Sequence, residues 1–293
     1  MATFQAPAAH RRRLLRELRR LRTDAKRTQK DVAQALEWSP SKVIRIESGA
    51  VQISMTDLRA LLALYGVGDD AVVQGLVASA RESRKQSWTG YRDVVTQEAA
   101  DYFGLEASAS IIRQHEPLRI PGLLQTPDYT RALLTDGRGL PAAIVERHVE
   151  ARGVRQELLT RDDPPSMFFI IGEAAVRQAV GGAAVMRDQL DRLEELGKEP
   201  GISIQIMPFA VGAHPGLNGP FVLLEISGSD DDTVLYLENQ TESVNTEDAE
   251  LIGGYLERFL DLERRATDPH QLAAALAGAR RDFVASGGGA STT

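Results

Sequence analysis

Thr28-Gln29-Lys30-Asp31-Val32-Ala33-Gln34-Ala35-Leu36, the dipeptide Glu37-Trp38, and Ser39-Pro40-Ser41-Lys42-Val43-Ile44-Arg45-Ile46-Glu47-Ser48-Gly49 decide how the first part of the chain folds. Thr28 offers a hydroxyl N-cap, and Val32, Ala33 and Leu36 share the inward face of a short helix. Ser39 caps the next helix with Pro40 at its first position, where a missing N–H costs no hydrogen bond. Val43 and Ile46 face inward from that helix, and Gly49 supplies a left-handed stop. Two short helices joined by a tight turn can wedge the second one into the major groove of a duplex. Ser41, Lys42 and Arg45 face outward on it. Arg45 suits guanine O6 and N7 in a bidentate contact, and Lys42 suits phosphate or a base acceptor. Ser39, Gln29 and the backbone donors at the start of the preceding helix, around Thr28 and Lys30, suit phosphate oxygens.

Working outward, Leu14, Leu15, Leu18 and Leu21 recur at three- and four-residue spacing and predict an amphipathic helix running to about Lys26. A helix bearing Leu58, Leu61, Leu62 and Leu64 closes the bundle near Gly66. Residues 1–68 therefore form one domain, its first nine residues left as a disordered arm. Residues 69–87 read as a connector helix, and Ser87 to Tyr91 as a loop whose Trp88 and Tyr91 are core anchors by default.

A second domain is expected over residues 88–265. Helical patterns cover Gln97 to Phe103, Thr126 to Thr135, Pro141 to Thr160, Val185 to Leu196 and Thr246 to Arg265. Strands are expected at Met167 to Ile171, Ile202 to Met207, Phe221 to Ile226 and Thr233 to Leu237. The first two flank a helix as a β-α-β unit and the last two form an antiparallel pair, which gives a mixed α/β domain with a small sheet. A C-terminal helix over 266–285 and a disordered Gly/Ser/Thr tail over 286–293 complete the chain, α+β as a whole.

Charge is polarised along the sequence. Residues 1–65 carry 13 Lys and Arg against 6 Asp and Glu, a net +7, so the remaining 21 against 35 leave −14 to the rest and −7 in total. A basic head on an acidic body keeps the head available to phosphates. The absence of cysteine excludes disulfides, thiolate chemistry and cysteine-ligated zinc. No apolar run is long enough for a membrane span, and no secretory signal opens the chain, so a cytoplasmic, nucleoid-associated protein without membrane contact is expected.

His10, His115, His148, His214 and His270 lack metal-ligand spacing, and no metal or cofactor is expected. His115-Glu116 and His214 stand as an acid–base pair across the second domain, set against surface or loop-stabilising roles. The Gly- and Pro-rich loop from Gly212 to Pro220, carrying His214 and Asn218, is the candidate rim for a partner or ligand. Gly181-Gly182 precedes a helix without phosphate-loop spacing and reads as a turn.

The stretch from Leu18 to about Tyr65 resembles the Xre/Cro/CI repressor helix-turn-helix, through Thr-Gln at 28–29, Ser-Pro-Ser at 39–41 and Ile-Glu-Ser-Gly at 46–49. The resemblance implies an internal ion pair between Arg22 and Glu47, and base-contacting positions at Pro40, Ser41 and Arg45. Pro40 departs from the pattern, because proline offers no side-chain hydrogen bond. Ile120-Pro-Gly-Leu-Leu-Gln-Thr-Pro-Asp-Tyr129, Gly181-Gly-Ala-Ala-Val-Met-Arg-Asp-Gln-Leu190 and Met207-Pro-Phe-Ala-Val-Gly-Ala-His-Pro-Gly-Leu217 resemble an uncharacterised actinobacterial domain that follows this head in Streptomyces WhiJ-like regulators. That likeness runs from about Trp88 to Arg265 and implies a small companion protein that relieves DNA binding.

These readings converge on a sequence-specific regulator and not an enzyme: a repressor binding a double-stranded inverted-repeat operator as a homodimer, its second domain sensing a companion protein or small ligand. Two rivals stand beside it. One makes the second domain an enzyme localised by the head, and the other makes it a protein-interaction module.

Overall fold

The computed structural model describes residues 7–84, 88–226, 232–238 and 243–286, which fall into two compact units. The first six residues of the expected arm, residues 85–87 of the expected connector and loop, and the tail from 287 onward lie outside the described residues.

The first unit takes in residues up to Thr89 together with Ala100–Ser108. Its helices are α1 (Pro7–Asp24), α2 (Gln29–Ala35), α3 (Pro40–Glu47), α4 (Met55–Leu64), α5 (Asp70–Glu82) and most of α6 (Gln97–Ser108). Helix α1 begins before the expected end of the arm because Ala9 is buried. One core gathers Leu14 and Leu18 of α1, Val32, Val43, Ile46 and the leucines of α4. Helix α5 adds Leu76, Val77 and Ala80 to that core, so the segment expected as a connector is the fifth helix of the bundle. Helix α6 starts where expected and runs five residues further, and most of it belongs with the head instead of the second domain.

The second unit is built on a six-stranded mixed sheet of β1 (Ala109–Glu116), β2 (Ser166–Gly172), β3 (Ile202–Met207), β4 (Phe221–Ile226), β5 (Thr233–Glu238) and β6 (Ser243–Thr246). The order is β3-β2-β1-β4-β5-β6, with β1, β2 and β3 parallel and the other pairings antiparallel. The expected β-α-β unit is β2, α10 (Gly182–Leu196) and β3, with the short α9 (Glu173–Arg177) at the start of the crossover. The expected antiparallel pair is β4 with β5.

The centre of the sheet is β1, which the sequence reading passed over. Its Ile112 sits between Met167 of β2 and Leu224 of β4. Helices α7 (Pro127–Arg138) and α8 (Ala142–Gln156) fill the crossover from β1 to β2. Helix α11 (Ala249–Arg265) packs Phe259 and Leu262 against Ile170, Phe221, Leu223 and Leu235 on one face. Helix α12 (Leu272–Ser286) buries Leu272, Leu276, Ala279 and Phe283 and packs on α10, so it is part of this unit and not an appendage. Among the described residues no helix is long and apolar enough to cross a membrane.

Candidate nucleic-acid interface

Local hydrogen bonding sets the helix pair. Thr28 accepts from the Asp31 N–H at 3.2 Å, and the Asp31 carboxylate accepts from the Thr28 N–H at 2.9 Å, a reciprocal capping box. These bonds occupy two of the donors that the sequence reading left for phosphate. Ser39 caps α3 by accepting from the Lys42 N–H at 3.2 Å, with Pro40 in the first turn. Between the helices Glu37 adopts φ 54°, the left-handed conformation that turns the chain. After α3, Gly49 has φ 74°, and a Cβ there would lie 2.7 Å from Leu15 Cδ1, so both backbone and space call for glycine.

Glu47 anchors α3 from below. Arg22 Nε and Nη2 donate to its two carboxylate oxygens at 2.7 and 3.2 Å, a bidentate pair. Gln29 Nε2 donates to the same carboxylate at 2.8 Å, and Arg19 Nε donates to the Glu47 carbonyl at 3.1 Å. The Glu47 hydrogen bonds hold the Arg22 guanidinium above its ordinary pKa. Gln29, expected to meet phosphate, is therefore drawn inward to this pair. Burial, with the neighbouring Glu47 charge adding to it, pushes the Tyr65 phenol up to about 12.

The outer side of α3 carries the exposed residues Pro40, Ser41, Ile44, Arg45 and Ser48. The Arg45 side chain has no hydrogen-bond or ion-pair partner among the described residues, while its carbonyl accepts from the Val51 N–H and the Ser48 hydroxyl. Lys42 is occupied: its Nζ donates to Asp57 Oδ1 at 2.8 Å and sits 3.8 Å from the centroid of the Trp38 ring. Ser39 and Ser41 hydroxyls are 3.1 Å apart. Lys30 and Thr28 are exposed at the start of α2. Sequence reasoning missed Asp57, Trp38 and Ile44; an acidic residue in the first turn of the helix after the pair was the signal available for the first.

The second-domain candidates do not assemble into one catalytic arrangement. His115 is fully buried, each ring nitrogen 3.1 Å from a carbonyl oxygen, those of Ile170 and Gly216. Burial pushes its pKa below the ordinary value, with the two carbonyls acting in the opposite direction. Neighbouring residues of a strand face opposite sides of the sheet, which puts Glu116 away from His115. His214 accepts from the Gly216 N–H at 3.2 Å and meets the His115 ring edge-on at 6.3 Å, so it shapes the loop that His115 holds. Asn218, in the short helical turn Pro215–Asn218, is exposed. Gly181 and Gly182 have φ 70° and 84°, the turn expected before α10. Among the described residues no group of side chains is arranged to hold a metal ion.

A capped, outward-facing helix carrying an uncommitted arginine, on a helical bundle of this connectivity, defines a DNA-binding regulator of the helix-turn-helix class, and residues 13–74 match the family described as a helix-turn-helix domain. Residues 99–277, more than half of the chain, match the family described as a domain of unknown function (DUF5753), and the chain belongs to that family. No curated protein and no solved structure matches it.

Proposed function

We propose that this chain is an Xre/Cro/CI-type repressor, of the kind carried by Streptomyces and its relatives, which acts in the cytoplasm on the nucleoid. It binds an inverted repeat as a homodimer, each head placing the N-terminal part of α3 in the major groove. Arg45 and Ser41 address base edges, and Lys30 and the α2 start address phosphates, with Lys42 held beside them by Asp57 and Trp38. The second domain has no catalytic role. It senses a small companion protein or ligand through the loop bearing His214 and Asn218, and so shifts the balance between DNA-competent and incompetent states.

The observation that carries this reading is the Arg45 guanidinium, exposed and without a partner among the described residues on the outer face of a helix otherwise fixed by caps and by Glu47. Selection from a random duplex pool tests it. The expected outcome is an enriched inverted repeat with a guanine in each half-site, whose preference relaxes at that one base pair in Arg45→Ala. A bidentate arginine–guanine contact gives about 1–3 kcal/mol of discrimination. Enrichment of no sequence by folded protein overturns the proposal.

A further inference from the structure

Ile44 stands out on the face just described. It is 49% exposed on α3 and belongs neither to the buried core of the head nor to the half-buried residues packed against it. Its neighbours Val43 and Ile46 are buried, so the helix has its apolar anchors without it. A β-branched residue gains nothing from an exposed helical position, where its restricted rotamers lower helix propensity.

Position decides what it can touch. At 100° per residue, Ser41, Ile44, Arg45 and Ser48 fall within an arc of about 100° on one side of the helix. Lys42 lies at the edge of that side, turned to Asp57. The centre of the groove-facing surface thus combines hydroxyls, one guanidinium and one branched alkyl group. In the major groove only thymine offers an apolar feature on its edge, the C5-methyl group.

We infer that Ile44 determines specificity by packing its side chain on a thymine methyl, at a base pair within one step of the one that Arg45 contacts. This rests on the DNA-binding reading above and adds to it a preference for an A·T pair at one position of each half-site. The contact removes the methyl from water, and one buried methyl-sized group corresponds to about a fourfold change in affinity.

The test uses the full chain and the duplex enriched by selection. Each thymine of a half-site is replaced in turn by deoxyuridine, which lacks only the methyl, and affinity is measured for the parent and for Ile44→Ala. Tryptophan fluorescence melting establishes that the variant head is folded. The expected result is about a fourfold loss at one thymine for the parent and no loss there for Ile44→Ala. Three results overturn the inference: no sensitive thymine, the same sensitivity in both proteins, or a variant weakened equally on every duplex, which places Ile44 in a protein contact. In each of these an enriched duplex leaves the DNA-binding reading standing. If selection enriches nothing, both fall together.

Discussion

Two glutamates, one in each unit, are buried to a similar depth and satisfied in opposite ways. Glu47 is 3% exposed and receives three side-chain donor bonds, two from Arg22 and one from Gln29. Glu116 is 9% exposed, with Gln114 Nε2 at 3.4 Å and Arg119 only as close as 4.0 Å. Burial dominates there and pushes its pKa from an ordinary 4.5 to about 7, with Glu238 adding to the rise and Arg119, Gln114 and Arg155 opposing it. In the head, donors compensate a buried carboxylate. In the sheet, burial raises the pKa instead, so the carboxyl keeps its proton up to about pH 7. Burial alone therefore does not say whether an acidic residue supports a fold by pairing or by losing its charge.

The largest effect that would break this contrast is in the head. Arg22→Ala leaves the Glu47 carboxylate without its bidentate partner, and removing one member of a buried pair costs about 3–5 kcal/mol. Both tryptophans, Trp38 and Trp88, belong to the first unit, so their fluorescence during urea unfolding reports this head. A loss under about 1 kcal/mol means that Gln29 and solvent suffice for Glu47. Arg22→Met combined with Glu47→Leu sharpens the point, since an apolar pair restores much of the loss if desolvation is the source of it.

Glu116 gives the next effect, with a definite sign. Its carboxyl binds its proton more tightly in the folded than in the unfolded chain, so stability falls as pH rises from about 4.5 to about 7 and is level above that. At about 1.4 kcal/mol per pKa unit this difference amounts to roughly 3 kcal/mol. His115, with a depressed pKa, contributes in the opposite sense, because the unfolded chain binds its proton more tightly. The difference between parent and Glu116→Gln at each pH separates the two. We expect unfolding free energies of the second unit, from urea titrations followed by circular dichroism, to converge near pH 4 and to favour Glu116→Gln by roughly 3 kcal/mol at pH 8. Parallel curves for the two proteins mean that Glu116 is ionised throughout.

The same contrast explains what was legible beforehand. The α+β class, the helix pair, the Ser39 cap with Pro40, and the left-handed Gly49 follow from rules acting within a few residues. Strand β1 does not, because Gln114, His115 and Glu116 interrupt its apolar run. What makes that polar stretch tolerable in a central strand is remote: His115 meets carbonyls 55 and 101 residues away. Residue type points Gln29 and Lys42 toward DNA, while Glu47 and Asp57, 18 and 15 residues on, claim their side chains. A short sequence window contains a helix cap whole, but only one half of a long-range polar pair.

Asp57 supplies a third carboxylate and the smallest effect. Its bond to Lys42 joins side chains 22% and 38% exposed, near the surface, where such pairs contribute at most about 1 kcal/mol. Asp57→Asn should therefore change the tryptophan-detected stability of the head by less than that, unlike the loss expected for Arg22→Ala. Its consequence lies in binding. With the acidic partner gone, the Lys42 ammonium is held only by the Trp38 ring, and its charge is no longer offset beside the groove-facing side of α3. If Lys42 then meets a phosphate, the slope of log affinity against log salt steepens by about one, the signature of one additional neutralised phosphate. An unchanged slope with unchanged affinity would mean that Asp57 and Trp38 position Lys42 for the head's own packing, and that DNA contact from α3 falls to Ser41, Ile44 and Arg45 alone.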